Sequence, residues 1–233
     1  MFITNEPALM INKTLVIADL HIGITRELYE SGVSLPSQVK NMVDRIHKIK
    51  KMTGADELVI LGDLKHKVPD TSWQELREIP EFLSSLEFKK IIIIKGNHDG
   101  NIEKMIPGNI KNRVKVRKSL SFNDYLLSHG HRKANTRKNI VIAHNHPHIR
   151  FRDKLGALYT EPCWVIEKMK IKDKISQKSV DLIIMPAFNE LCGATIVNRD
   201  KLLGPIAKKI INPKVHLLDG TDLGELKALK IKE

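Results

Sequence analysis

Cysteine is nearly absent from this 233-residue chain, which holds only Cys163 and Cys192 and no CxxC pair. A disulfide framework is thereby excluded, and both residues are expected to be buried, reduced thiols of an intracellular protein. Aromatic residues make up only 5% of the chain, so its core must be mostly aliphatic. No apolar run approaches the roughly 18–20 residues that span a bilayer. The stretch Met1-Phe2-Ile3-Thr4-Asn5-Glu6 has no basic segment followed by an apolar one, so no signal peptide is expected and the cytoplasm is the expected compartment. Internal repeats, low-complexity tracts and flexible linkers are missing as well.

What is present is ordinary in bulk. Hydrophobic residues at 42% and charged residues at 28% suit a globular protein, and the length suits one domain over residues 1–233 with a substantial core. The charge balance is less ordinary. Lys and Arg number 39 against 27 Asp and Glu, a formal net charge of +12. Such a charge favours anionic partners, nucleic acid among them. A Lys- and Ile-rich, Gln-poor composition also suits heat adaptation, where lysine populates the surface generally. The charge is not gathered in a tail.

Strands alternate with helices early on. Leu15–Ala18, Leu58–Leu61 and Ile91–Ile94 read as strands. Between the first two, residues 36–52 form an amphipathic helix whose apolar positions Val39, Met42, Val43, Ile46 and Ile49 follow three-and-four spacing. Lys48, Lys50 and Lys51 would be its wet end, and Met42 and Met52 core. Ser72-Trp73-Gln74-Glu75 resembles a capping box opening a second helix through Leu86, with a kink expected at Pro80. After Arg113 short strands with turns dominate, including Tyr125–Ser128 and Ile140–Ala143, and Asp219-Gly220 marks a turn after Lys214–Leu218. The βαβαβ order implies a sheet with helices on its faces, and the second half implies a largely antiparallel sheet. The expected fold is α/β, a four-layered α/β/β/α sandwich of two mixed sheets.

Five polar clusters follow these apolar runs: Asp19-Leu20-His21, Gly62-Asp63, Gly96-Asn97-His98-Asp99, His129-Gly130-His131 and Ala143-His144-Asn145-His146. Parallel strands point one way, so residues just past their ends collect at one sheet edge. A dense set of N and O donors there suggests a metal centre. In extended chain, residues two apart face the same side, which would turn both Asp19 and His21 toward one ion. Gly96 lets the backbone turn sharply, and the three polar residues after it would be costly to bury without a task.

Taken in order, these motifs resemble the calcineurin-like metallophosphoesterases: Asp-x-His, Gly-Asp, Gly-Asn-His-Asp/Glu, a later His, then Gly-His-x-His. The match runs over residues 15–146. Segments Gly62-Asp63-Leu64-Lys65-His66, Pro162-Cys163-Trp164 and Pro186-Ala187-Phe188-Asn189 are further similar to a microbial branch, some of whose members are associated with DNA ligase. The resemblance implies that Asp19, His21 and His146 hold one metal ion, Asn97, His129 and His144 a second, and that Asp63 bridges them. Two ions so placed share a hydroxide and hold phosphate oxygens during in-line attack. N/O ligands admit Mn, Fe, Ni or Zn, with manganese the expectation. His98 matches the family's catalytic histidine, which acts on the leaving oxygen rather than as a principal ligand, and Asp99 would orient it. Ala143 stands where the family has Gly, which touches local backbone geometry and not the ligand atoms.

The implied activity is metal-dependent hydrolysis of phosphate esters, chiefly phosphodiesters. A DNA or RNA nuclease using the same centre is the alternative that the charge favours. A non-catalytic metal-stabilised interaction module is the other, and the intact Asn97-His98-Asp99 run argues against it. His66 could approach the phosphate or lie in a surface loop. His131 reads as structural or as support for a ligand, and His148 as ordinary. Arg150 and Arg152 could fork a phosphate or form a solvated basic strand. Asn189 reads as a turn residue.

Overall fold

The computed structural model describes residues 1–172 and 177–230. It divides into two compact units. The first comprises Met1–Phe2, Ala8–Lys118 and Phe188–Cys192; the second comprises Ile3–Pro7, Ser119–Ala187 and Gly193–Glu233.

In the first unit, five strands pair in chain order: β1 (Ala8–Ile11), β2 (Thr14–Ile17), β3 (Glu57–Leu61), β4 (Lys90–Ile94) and β5 (Val114–Arg117). β1 and β2 form an antiparallel hairpin, and every later pairing is parallel. β4 reads Lys-Ile-Ile-Ile-Ile, and all four isoleucines are buried, as expected of a parallel strand covered on both faces. Three helices join the strands: α1 (Ile24–Glu30), α2 (Val39–Thr53) and α3 (Trp73–Ser85). α2 buries Val39, Met42, Val43, Ile46 and Ile49, the stripe its periodicity predicts. It ends at Gly54, whose positive φ of 66° lets its N–H reach the Lys50 carbonyl. Met52 departs from expectation: it is 63% exposed, because it falls off the buried stripe. Lys50 is half-buried, with its ammonium 5.4 Å from the Phe88 ring centre.

α3 begins as its sequence predicts. Ser72 accepts from the Glu75 amide, and the Glu75 carboxylate accepts from the Ser72 amide, a complete capping box. The helix runs through Pro80 and buries Ile79, Phe82 and Leu83. A returning segment adds Phe188, fully buried, whose amide bonds the Ala18 carbonyl at 2.8 Å.

The second unit is a mixed sheet ordered β12–β9–β10–β11–β8–β7–β6. Its strands are β6 (Leu120–Phe122), β7 (Tyr125–Leu127), β8 (Asn139–Ile142), β9 (Pro147–Arg152), β10 (Leu158–Lys172), β11 (Gln177–Ile184) and β12 (Thr195–Ile196). β13 (Lys214–Leu217) pairs with β10 and with β14 (Asp222–Glu225). Antiparallel pairings predominate, but β7–β8, β8–β11 and β9–β12 are parallel. The core is aliphatic: Ile140, Ile142, Ile149, Val165, Leu182, Ile184 and Val215 cluster around Cys163. The chain is thus an α/β protein of two mixed sheets. Among the described residues no helix is long and apolar enough to cross a membrane.

Candidate metal centre

Strand ends place the donors with a regular offset. Asp19, Asp63, His129 and His144 each lie two residues beyond the last residue of β2, β3, β7 and β8, and Asn97 lies three beyond β4. Past their ends β2 and β3 stay coupled. The Asp19 amide bonds the Gly62 carbonyl at 3.2 Å, His21 N bonds Asp63 O at 2.8 Å, and Ile22 N bonds Leu64 O at 2.9 Å. The two donor-bearing loops therefore run side by side.

Strand alternation is not what turns the donors. Asp19 (φ 53°), His21 (φ 44°) and Asp63 (φ 45°) all adopt the left-handed region, as do His144 (φ 71°) and His146 (φ 42°). Non-glycine residues rarely enter that region, at a cost of order 1–3 kcal/mol each. Aspartate and histidine enter it more readily than most residues, but five expected ligands sharing it marks them as held in place by surrounding structure.

In the first unit Asp19, His21 and Asp63 are all buried, and a donor atom from each lies within 4.8 Å of the other two. Two carboxylates this close out of water repel one another unless a proton or a cation lies between them. A hard divalent ion with O and N ligands fits that set. His21 Nε2 stands 3.8 Å from Asp63 Oδ2. Its other nitrogen, Nδ1, lies 3.2 Å from His66 Nδ1, and His66 Nε2 lies 2.7 Å from Glu27 Oε2. Because the carboxylate only accepts, His66 carries its proton on Nε2. His66 Nδ1 then accepts from His21 Nδ1–H, which leaves the His21 Nε2 lone pair for a metal.

Asp63 is fixed from the neighbouring loop. Its Oδ1 accepts from the His98 amide at 2.8 Å. A Cβ built on Gly96 would stand 1.9 Å from the same oxygen, so only glycine fits there. His98 Nε2 is 4.0 Å from Asp63 Oδ2, and His98 Nδ1 bonds the His66 carbonyl. Asp99 is fully buried, and its two oxygens accept from the amides of Lys65 at 3.1 Å and Gly96 at 2.8 Å. It thereby ties the loop after β4 to the loop after β3. Asn97 is exposed on the same turn. Cys192 is half-buried, not fully buried as Cys163 is, and its thiol reaches the Asp19 carbonyl at 3.6 Å. Asn189 is structural as expected, with its amide donating to Leu20 O at 2.7 Å.

In the second unit the rings of His129 and His144 stand edge to face at 4.9 Å, with the His131 ring 5.1 Å from His129. His131 Nδ1 lies 3.0 Å from His129 Nδ1. Burial, with His129 beside it, pushes the His131 imidazole down to about 4, so it is neutral at pH 7. His146 Nδ1 donates to the Gly193 carbonyl at 2.8 Å, which directs its proton to Nδ1 and makes Nε2 the nitrogen that could ligate an ion. Sequence reasoning passed over Asn145. Its buried side chain accepts from Leu203 N at 2.7 Å and donates to the carbonyls of Ala143 and Leu203, bracing the turn that carries His144 and His146. An asparagine between two candidate ligand histidines carries no sequence signal that separates a brace from a third donor.

An α/β fold that gathers buried carboxylates and imidazoles just past its strand ends defines a metal-binding class of protein. The chain belongs to the calcineurin-like phosphoesterase family, whose pattern matches residues 13–185. It is 36% identical over 83 residues to a probable cyclic nucleotide phosphodiesterase of Vesicomyosocius okutanii subsp. Calyptogena okutanii (strain HA). That match takes in 36% of this chain and 31% of the relative, so the chain spans about a third of that protein. In fold it is similar to the nuclease MPE of Pseudomonas putida, with a TM-score of 0.52 and 21% identity over 88% of this chain and 83% of that one.

Proposed function

We propose that this chain, as one metallophosphoesterase domain, hydrolyses phosphate esters, chiefly phosphodiesters, with two divalent ions. In this reading Asp19, His21 and His146 hold one ion, Asn97, His129 and His144 the other, and Asp63 bridges. The single observation that carries the reading is the buried Asp19–His21–Asp63 set with a donor atom from each within 4.8 Å of the others, inside a family of phosphoesterases. Manganese is the proposed metal, though the same donors accept Fe, Ni or Zn. When bound, such ions supply an activated water at neutral pH and neutralise charge on the phosphate.

The chain's own residues supply the rest. His98 keeps its Nδ1 on the His66 carbonyl, so a proton delivered to a leaving oxygen comes from Nε2, and the imidazolium is the active form. Asp99 acts by position: its bonds to Lys65 N and Gly96 N hold the turn that presents His98. The Glu27–His66–His21 chain keeps the His21 Nε2 lone pair toward the ion. A nuclease working through the same centre is the second reading, supported by the +12 charge. The test is His98→Ala assayed on bis(p-nitrophenyl) phosphate with metal content measured in parallel. Turnover should fall about 10²–10⁴-fold while both ions stay bound. Undiminished turnover would remove His98 from the mechanism.

A further inference from the structure

A cavity of about 620 Å³ opens on the first unit, lined by Arg26, Glu30, Lys67, Trp73, Gln74 and Arg77 together with Thr71 and Ser72. Trp73, the first residue of α3, is 88% exposed, whereas the chain's other tryptophan, Trp164, is 1% exposed. An indole offers more area for burial than almost any other side chain, and one left in water at the mouth of a cavity calls for a partner. Three cations line the same space against one carboxylate. Arg26 pairs with Glu30 at 2.8 Å, and Arg77 lies 3.6 Å from Glu78, a buried residue outside the lining. The Lys67 ammonium is exposed and makes no ion pair among the described residues.

This cavity adjoins the metal centre through the chain itself. Lys67 follows His66, whose ring touches His21. One carboxylate, Glu75, accepts from both amides, His66 N at 2.9 Å and Lys67 N at 2.6 Å. Glu75 also closes the capping box that sets Trp73 at the start of α3. Glu75 thus ties the backbone of Lys67 and the start of α3, which carries Trp73, to the loop that carries His66.

No aliphatic side chain lines the cavity. A protein partner or a lipid surface would find one flat ring and no further apolar anchor, and a simple inorganic anion would have no use for the indole. A flat ring beside cations matches a nucleobase with its flanking phosphates. The base must be unpaired, since a duplex already stacks both of its faces.

We propose that this cavity is a subsite for one nucleotide of a single-stranded nucleic acid, with Trp73 stacking on the base and Arg26, Lys67 and Arg77 holding the adjoining phosphates. The proposal rests on the phosphodiesterase reading and names its substrate class.

The test titrates the full-length, metal-loaded protein with a phosphorothioate-linked oligothymidylate of about twelve nucleotides, within the span such sites cover. Tryptophan emission is followed, with fluorescence anisotropy of a labelled copy in parallel. Saturable quenching is expected, with an affinity that falls as salt rises. Trp73→Ala should abolish the quenching and raise Kd roughly five- to a hundredfold. Arg77→Gln should lower the slope of log Kd against log salt by about 0.7. Because Trp73 and Arg77 are exposed, unchanged thermal melts should accompany both variants. Oligonucleotide binding without quenching, or an unaltered Kd in Trp73→Ala, would overturn the subsite. So would equal quenching by inorganic polyphosphate, which has no base to stack. Hydrolysis of bis(p-nitrophenyl) phosphate by a protein that fails to bind the oligonucleotide would refute the subsite and leave the phosphodiesterase reading standing. Absence of both would take the two down together.

Discussion

Whether an imidazole can hold an ion depends on which of its nitrogens carries the proton, and in each unit a neighbour settles that for one candidate ligand. A glutamate and a second histidine do so for His21, and a backbone carbonyl does so for His146. The carboxylate of Asp63 is set by volume instead, since it fills the space where a side chain on residue 96 would stand. Gly96→Ala should therefore displace it. Metal affinity is expected to fall roughly 10–100-fold, as for other changes just outside a ligand set, with about 1–3 kcal/mol of lost stability from overpacking. Calorimetric titration with Mn²⁺ and urea melts would check both, and wild-type affinity in the variant would contradict the packing argument. That Asp19, His21 and Asp63 come together, buried, was legible in their place just past apolar runs, since parallel strands bring such residues to one sheet edge. Their backbone was not. Left-handed φ at an aspartate or histidine is imposed by the paired loops around it, and no local pattern announces it.

At the scale of elements, α2 and α3 carry their own instructions. Ile46 is fully buried on the α2 stripe, and Ile46→Ala should cost about 2–5 kcal/mol. Ser72→Ala removes one half of a capping box and should cost about 1 kcal/mol. Both are read from chemical denaturation, and a cost near zero for Ile46→Ala would mean that the helix does not pack as described. Periodicity and the Ser-x-x-Glu signature made these helices predictable. β1 and α1 were not. The β1–β2 turn uses Asn12, at φ 53°, with no glycine after it, so the usual hairpin signal is missing. α1 spans only seven residues, too short to show a period. The strands past Arg113 were foreseen as short, but β10 runs over 15 residues, and its apolar run Cys163-Trp164-Val165-Ile166 breaks the alternation that would have marked so long a strand.

For the molecule as a whole, the proposed metal centre carries an expectation about stability. A site that binds ions only when folded stabilises the protein by mass action, by about 2.7 kcal/mol when free metal is at 100 times Kd. Thermal melts should therefore rise on adding Mn²⁺ and fall on adding a chelator, and melts insensitive to both would argue against a metal-stabilised fold. Stability is also unevenly shared along the chain. Glu75 accepts hydrogen bonds from the amides of His66, Lys67 and Ser72, joining the first turn of a helix to the loop beside the candidate metal centre. Opening that turn releases the loop as well. In native-state hydrogen exchange these three amides and that of Glu75 should then exchange with one common free energy, as a single foldon. The same local opening, well short of global unfolding, would set the temperature at which catalysis begins to fail.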